Sequence, residues 1–259
     1  ALYNQLPEQQ RDAFYQLVLF PAQATAQVNA LYIDAGKNAL YARQGRSSAN
    51  DYAAQTAALF KADADLMSAY NGRNNGRWDH FMDQVHIGYT SWQDPPRNVM
   101  PKVQNITPGT EPAMGVAVEG SADAWPAQPG TLTLPRIDLY NRQQRSIDLF
   151  NRGQGAFTFS AQPSAPWITL SKISGQVEKD ERLRVGVDFS KAPAGVTTGT
   201  IAITSNQQTA SIQVEAFNPA APKREELQGF VDADGVVSIE AEHFTREIPV
   251  SGVRWAKIE

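Results

Sequence analysis

Apolar residues recur at helical spacing through the first ninety positions of the chain, and from about residue 115 the spacing changes to two. Pro7 and Glu8 suit the first turn of a helix, and Phe14, Leu17 and Val18 supply its apolar face. Pro21 is expected to end or kink that helix. A second helix follows through Ala24, Val28, Leu31, Tyr32, Ala35 and Ala39 towards Gly45. After a break at residues 45–48, Ser48 or Asn50 can cap a third, whose face is Tyr52, Thr56, Leu59, Phe60, Asp63, Leu66, Met67 and Tyr70, with Gly72 just past its end. A short fourth helix is expected from near Trp78, fading before Gly88. Residues 22–69 contain 15 alanines, small enough to let helices approach closely, so the expectation is an antiparallel bundle. A bundle this small buries limited area and should lean on another domain.

In the second part, Phe157, Phe159 and Ala161 alternate with small or polar residues, as do Leu183, Val185, Val187 and Phe189. Ile201–Thr204 and Ile212–Glu215 repeat the pattern, and Pro193-Ala194-Gly195 and Ser205-Asn206 supply turns between runs. Several short strands at this spacing predict an immunoglobulin-like β-sandwich. Asn218-Pro219-Ala220-Ala221-Pro222 has the composition of a linker. Beyond it, Phe230–Val237 carries a hairpin signal around Asp234-Gly235 and reads as the opening strands of a further β-domain. The expected fold class is thus α+β and multidomain: helical bundle 1–94, linker or loop 95–114, β-sandwich 115–218, and 219–259 as linker and truncated start of a C-terminal β-domain.

Composition narrows the function classes. The net charge is −4, and residues 1–100 hold 8 basic and 9 acidic groups against 15 and 18 in the rest, so no part offers the basic face of a nucleic-acid binder. No apolar run reaches the roughly 18 residues of a membrane span. The absence of cysteine excludes disulfides, thiolate nucleophiles and zinc–cysteine sites but leaves the compartment open. The chain starts at Ala1 and stops at Glu259 with neither initiator nor tail, so both ends are expected to be cuts through a longer polypeptide or the ends of a processed protein.

Chemistry concentrates in Trp78–Asn98, which holds two of three histidines, two of five tryptophans, three aspartates and Arg97. Aromatic faces beside planar hydrogen-bonding groups suit a sugar ring, and a uronic acid carboxylate would add a preference for Arg or His. The bland alternative is a helix that packs Trp78, Phe81, Met82 and Val85 inward, with His80 and His86 as satisfied histidines. Asp79 and Asp83, four apart on a helix, would stand at a glycosidase-like separation, although such a pair is more commonly a solvated face.

The block His80–Pro101 closely resembles glycoside hydrolase family 115, whose members are xylan α-glucuronidases removing (4-O-methyl)-glucuronic acid branches linked α-1,2 to xylose. The resemblance continues through Gly115–Ser121, Phe150–Gly153 and Asp232–Phe244. It implies that this chain matches the family's bundle, its sandwich and the start of its last β-domain. The barrel that carries the family's catalytic carboxylates would lie upstream, so no catalytic residue is carried over and no cofactor is implied. Tyr89 and Trp92, then His86 and Arg97, are the residues expected to reach a substrate pocket of the same or a partner subunit, since they combine stacking and hydrogen bonding with a Gly/Pro-flanked loop.

Two smaller resemblances remain. Ile239–Phe244 is similar to the first strand of calcium-containing carbohydrate-binding sandwiches, which would make Glu240 and Glu242 candidate ligands, against a plain edge strand with outward glutamates. Pro166–Ser171 is similar to a phrase in bacterial immunoglobulin-like modules attached to carbohydrate enzymes, where Trp167 would either stack on a glycan or cover the end of the core. The function expected is an accessory, non-catalytic portion of a xylan α-glucuronidase that braces the barrel, with xylan or glucuronoxylan as substrate of the whole enzyme and a homodimer as its assembly. The alternative is an autonomous carbohydrate-binding module gripping xylan. No nucleic acid or membrane partner is expected.

Overall fold

The computed structural model describes residues 2–244 and 246–256; the chain ends at Ala1 and 257–259, on which the expected cuts fall, and Thr245 lie outside it. It divides into two compact units, residues 1–113 with 151–155, and residues 114–150 with 156–259.

The first unit is a helical region. Helices α1 (Leu2–Gln5) and α2 (Glu8–Phe14) lead through a π-helical turn (Tyr15–Leu19) into α3 (Phe20–Gln44), and α4 (Ala49–Asn71) returns after a short turn. Pro21 therefore does not end the helix. It has no N–H, and its ring would press on the carbonyl one turn back; the wide turn, in which the Phe20 N–H reaches Tyr15 O, accommodates it. The wide turn also moves the apolar face. Tyr15 and Phe20, five apart, are both buried, whereas Leu17 and Val18, expected inside, are 78% and 50% exposed. Tyr15 and Phe20 meet Tyr70 of α4 with ring centroids 6.1 and 4.5 Å away, and the Arg73 guanidinium lies 3.8 Å over Tyr15.

Further along α3, Leu31 and Ala35 are buried as expected, but Tyr32 and Ala39 face out and Asn38 is buried instead. On α4 Thr56, Asp63 and Tyr70 of the expected stripe are buried, and Ala49 and Ala53 are buried with them. Gly45 ends α3 in the left-handed conformation at φ 71°, with Arg46 N–H on Tyr41 O. Ser48 occupies the N-cap of α4 without a side-chain bond. Asn50 does not cap either: its amide donates to Ile106 O and accepts from Ile106 N–H, and Asn38 does the same with Gln104. These two asparagines hold the extended segment after Pro95 against the helices.

The expected fourth helix does not form. Asn74, Asn75, Gly76 and His80 all have positive φ, and residues 77–82 are a series of turns. Helical phase is lost at each such residue, so Asp79 and Asp83 do not share a helix face.

The second unit is built of β-strands in chain order: β1 (Met114–Val118), β2 (Ala124–Trp125), β3 (Leu132–Thr133), β4 (Ile137–Asp138), β5 (Arg145–Asn151), β6 (Phe157–Pro163), β7 (Ile168–Leu170), β8 (Ser174–Val177), β9 (Asp180–Val187), β10 (Gly195–Ser205) and β11 (Gln208–Asn218). One sheet has the order β2-β1-β5-β9-β7. The other runs β3-β11-β10-β6-β8, with β4 also on β11. β3 and β4 run parallel to β11, and β6, β8, β10 and β11 pair antiparallel. Both sheets contribute to one core, with Val116, Ile147, Leu183 and Val185 from the first and Phe157, Phe159, Ile201, Ile203, Ile212 and Val214 from the second. The arrangement is sandwich-like. Alternation in β6 maps directly onto burial, and the Ser205-Asn206 turn signal becomes a two-residue hairpin in which Asn206 and Gln207 both have positive φ. Trp167 is buried in the core and is not available to a glycan.

β5 is buried on both faces, because Phe150 packs on Ala117 and Ala124 on the side away from the main core. The opening strands expected after Phe230 amount to two isolated bridges, Ala233 to Val236 and Val250 to Val253, and Glu240–Phe244 is not a strand: residues 241–243 form a 3₁₀ turn. A strand pattern needs a neighbouring strand to bury its apolar side, and Val236, Val237 and Ile239 remain exposed.

Gly115 forms the surface on which the Phe150 ring lies; a Cβ there would stand 2.1 Å from the ring edge. Gly115→Ala should therefore lower the unfolding free energy of the β unit by about 2 kcal/mol, measured by urea denaturation. Adding Phe150→Leu should recover part of that loss; full stability of the single variant would contradict the packing described.

Candidate functional site

The segment 82–100, dense in aromatic and ionisable residues, is an irregular loop fixed by a few specific bonds. Asn98 Oδ1 accepts the N–H groups of His86 and Ile87 at 2.9 and 3.0 Å, and Ile87 is fully buried. Gly88 has φ 98° and lies so close to Val99 that a Cβ would meet it at 2.8 Å, while Val99 N–H donates to Ile87 O. A side chain at position 88 would break this crossing of two backbones.

That anchoring places His86 at an open cleft of about 430 Å³ lined by Phe20, Val28, Met67, Met82, Gln84 and His86, with Ala24, Thr25 and Asn29 completing it. The wall is mostly apolar, and two of its residues are flexible methionines, a composition suited to an apolar body rather than to a rim of sugar hydroxyls. His86 Nε2 lies 2.9 Å from Asp63 Oδ2, and Nδ1 lies 2.9 Å from Gln84 O. Both ring nitrogens thus lie beside oxygen acceptors of the protein. Asp63 is 2% exposed, and its other oxygen, Oδ1, is buried with no hydrogen-bond partner. The pair fastens the loop to α4.

Of the four residues expected at a substrate pocket, one borders this cleft. His86 lines the cleft. Tyr89 is 42% exposed, its hydroxyl 2.5 Å from Asp94 Oδ1 and 3.1 Å from Val85 O. The Asp94 hydrogen bond, followed by desolvation, pushes the Tyr89 phenol above its ordinary pKa, so it stays protonated. Trp92 is 99% exposed and Arg97 is exposed, and neither has a hydrogen-bond, ionic or ring partner among the described residues. Met67 and Met82 are the cleft's unforeseen parts, and Asp63 is the unforeseen partner of His86. A carboxylate in the middle of an apolar helical stripe was the signal available at Asp63.

The paired aspartates take another role. Asp83 Oδ2 lies 2.6 Å from His80 Nδ1 and Asp79 Oδ2 lies 3.4 Å from His80 Nε2, so both surround one exposed imidazole. The ligand atoms of Glu240, Glu242 and His243 lie within 4.8 Å of one another on the 3₁₀ turn, all exposed. Two carboxylates and an imidazole supply part of the six to eight ligands that Ca²⁺ takes. Among the described residues, no helix is long and apolar enough to cross a membrane.

The family model for the glycosyl hydrolase family 115 C-terminal domain matches residues 229–259, which relates this end of the chain to an accessory region of a glycoside hydrolase. A model for the viral BACON domain matches residues 131–216. Comparison with curated proteins gives no match. Among solved structures, the chain is similar to a Bacteroides ovatus GH5 xyloglucanase in complex with a XXXG heptasaccharide, at 16% identity over 41% of this chain and 20% of that one, TM-score 0.28. It is also similar to a FixG-related protein from Vibrio parahaemolyticus (14% identity, 41% of this chain, 94% of that one, TM-score 0.28) and to the E. coli chaperone DraB (10%, 34%, 55%, 0.28). The chain spans only a fifth of the xyloglucanase chain, and likenesses at this level say nothing of function.

The His80 cluster gives a pH prediction. The hydrogen bond to Asp83, then the charges of Asp79 and Asp83, raise the His80 pKa above 6.5. The folded value exceeds the unfolded one, so the support this contact lends the turn is complete below pH 6.5 and is lost as pH rises through the raised folded value. An NMR titration should find the His80 midpoint above 6.5 in the wild type and lower in Asp83→Asn; equal midpoints would contradict the contact.

Proposed function

We propose that this chain is an accessory, non-catalytic part of a xylan α-1,2-(4-O-methyl)-glucuronidase, in which a helical bundle and an immunoglobulin-like sandwich brace a catalytic barrel in the same polypeptide. The observation that carries this reading is the family match over residues 229–259, which falls on the stretch Asp232–Phe244 whose sequence resembles the same family. The chemistry of the described residues is compatible with it: the part-exposed His86 ring has Asp63 Oδ2 beside one nitrogen and Gln84 O beside the other.

In this reading the domains follow 1–94, 95–114, 115–218 and 219–259, and the complete enzyme acts on glucuronoxylan as a homodimer. Trp92 and Arg97, exposed and unpartnered, and Tyr89 beside Asp94 are the side chains free to approach a branched xylan from the loop, with His86 holding the loop in place. A binding module that grips xylan on its own is the weaker reading, because Trp167, its natural stacking residue, is in the core.

Two measurements test the proposal. Tyr89→Ala in the complete enzyme should raise KM or lower turnover about three- to tenfold, the range of one lost aromatic contact; unchanged kinetics would remove Tyr89 from the substrate path. In affinity electrophoresis through glucuronoxylan, this chain alone should not be retarded. Clear retardation would favour the binding module.

A further inference from the structure

The segment after the β-sandwich has the composition of a linker, yet the structure ties it down at three points. The Tyr140 hydroxyl donates to Pro222 O at 2.9 Å, and the Asn141 amide donates to Asp232 O at 3.2 Å. The third point is Arg145 at the start of β5, whose side chain is 5% exposed. Arg145 Nη1 donates to Asp234 Oδ2 at 2.7 Å and to Glu119 Oε1 at 3.1 Å. Arg145 Nη2 donates to Asp234 Oδ1 and to Arg136 O, each at 2.7 Å. The bidentate Asp234 pair is the strongest geometry available to a guanidinium. A buried guanidinium needs such partners, because its loss of water is otherwise uncompensated.

Asp234 is delivered by a tight turn. Asp234 and Gly235 have φ of 57° and 78°, and Ala233 and Val236 exchange hydrogen bonds of 2.9 and 3.0 Å across them. A short 3₁₀ turn at Arg224–Glu226, closed by Lys223 N–H on Glu226 Oε2, shapes the approach. Apolar burial adds little, since Phe230, Val236 and Val237 are 38%, 64% and 49% exposed.

We infer that residues 222–236 form a strap clamped to the β unit by the buried Arg145–Asp234 pair, and that this clamp fixes where the following segment stands. The match at 229–259 begins inside the strap, so the C-terminal segment is held at a set position rather than swung on a free linker. The clamp is separable from the fold. Glu119 also accepts the Ser146 N–H and hydroxyl, each at 3.0 Å, and with Arg136 O it still engages Arg145 when Asp234 is lost. Removing the Asp234 carboxylate should therefore free the strap and leave the sandwich folded.

The chain has no cysteine, so spin labels can be placed at Ser174→Cys and Ser238→Cys alone. Pulsed electron–electron resonance on the full chain should give one narrow distance distribution, which broadens in Asp234→Asn. Trypsin cleavage after Lys223 and Arg224 should become at least tenfold faster in Asp234→Asn while the melting temperature of the β unit stays within a few degrees. Tyr140→Phe, which removes one neutral bond, should accelerate cleavage no more than two- to threefold. A broad distribution or fast cleavage in the wild type, or no change in Asp234→Asn, would overturn the inference. Loss of the β unit's melting transition in Asp234→Asn would overturn it as well, by making the carboxylate part of the core.

Discussion

Proline at position 21 imposes the constraint on which the helical region depends. An ordinary helix would need an N–H there, and the π turn immediately before it removes that need by widening the helix from Tyr15 to Leu19. The widening adds a residue to one turn and brings Tyr15 and Phe20 onto one face, where both meet Tyr70. The same shift exposes Leu17 and Val18 and sets Phe20 in the wall of the cleft that His86 borders. Helix register, aromatic cluster and cleft are thus one consequence of one residue.

The irregular parts of the molecule are held by a different device, buried polar side chains that imitate a backbone partner. An asparagine amide presents one donor and one acceptor in the spacing of a peptide group, and Asn38 and Asn50 use both against Gln104 and Ile106. Asn98 accepts from two successive N–H groups at the crossing by Gly88. Asn151, fully buried, accepts from Ala113 and Gly153 N–H and donates to Gly155 O. Arg145 does for the strap what these amides do for the loops, with charge added. Long loops lack a ladder of their own, and such residues satisfy the backbone groups that burial would otherwise leave unpaired.

Where burial alone decides structure, the sequence was legible. The period-two runs at 157–161, 183–185, 201–203 and 212–214 are strands with the expected faces inward, and the stripe from Tyr52 to Tyr70 is the inner face of α4. Legibility failed where backbone conformation overrode periodicity. His80 in the left-handed region, invisible in a hydropathy pattern, interrupts the helix expected from near Trp78. Register across the π turn cannot be counted at 3.6 residues per turn, which misplaced Leu17 and Val18. The alternation at 236–240 has no paired strand among the described residues, and Val236, Val237 and Ile239 stay exposed. Of the candidate site, the loop was found by its density of aromatic and ionisable groups, but its organising contact, His86 with Asp63, joins residues 23 apart that no local pattern connects.

The account rests on the view that this chain supports a glycoside hydrolase without performing the hydrolysis. Among the described residues, three titratable clusters make structural contacts: His86 with Asp63, His80 with Asp79 and Asp83, Arg145 with Glu119 and Asp234. The most direct test is to incubate the purified chain with glucuronoxylan and quantify free (4-O-methyl)-glucuronic acid by ion chromatography over a day. The account predicts release no faster than in the substrate blank. Sustained release proportional to the concentration of the chain would contradict it.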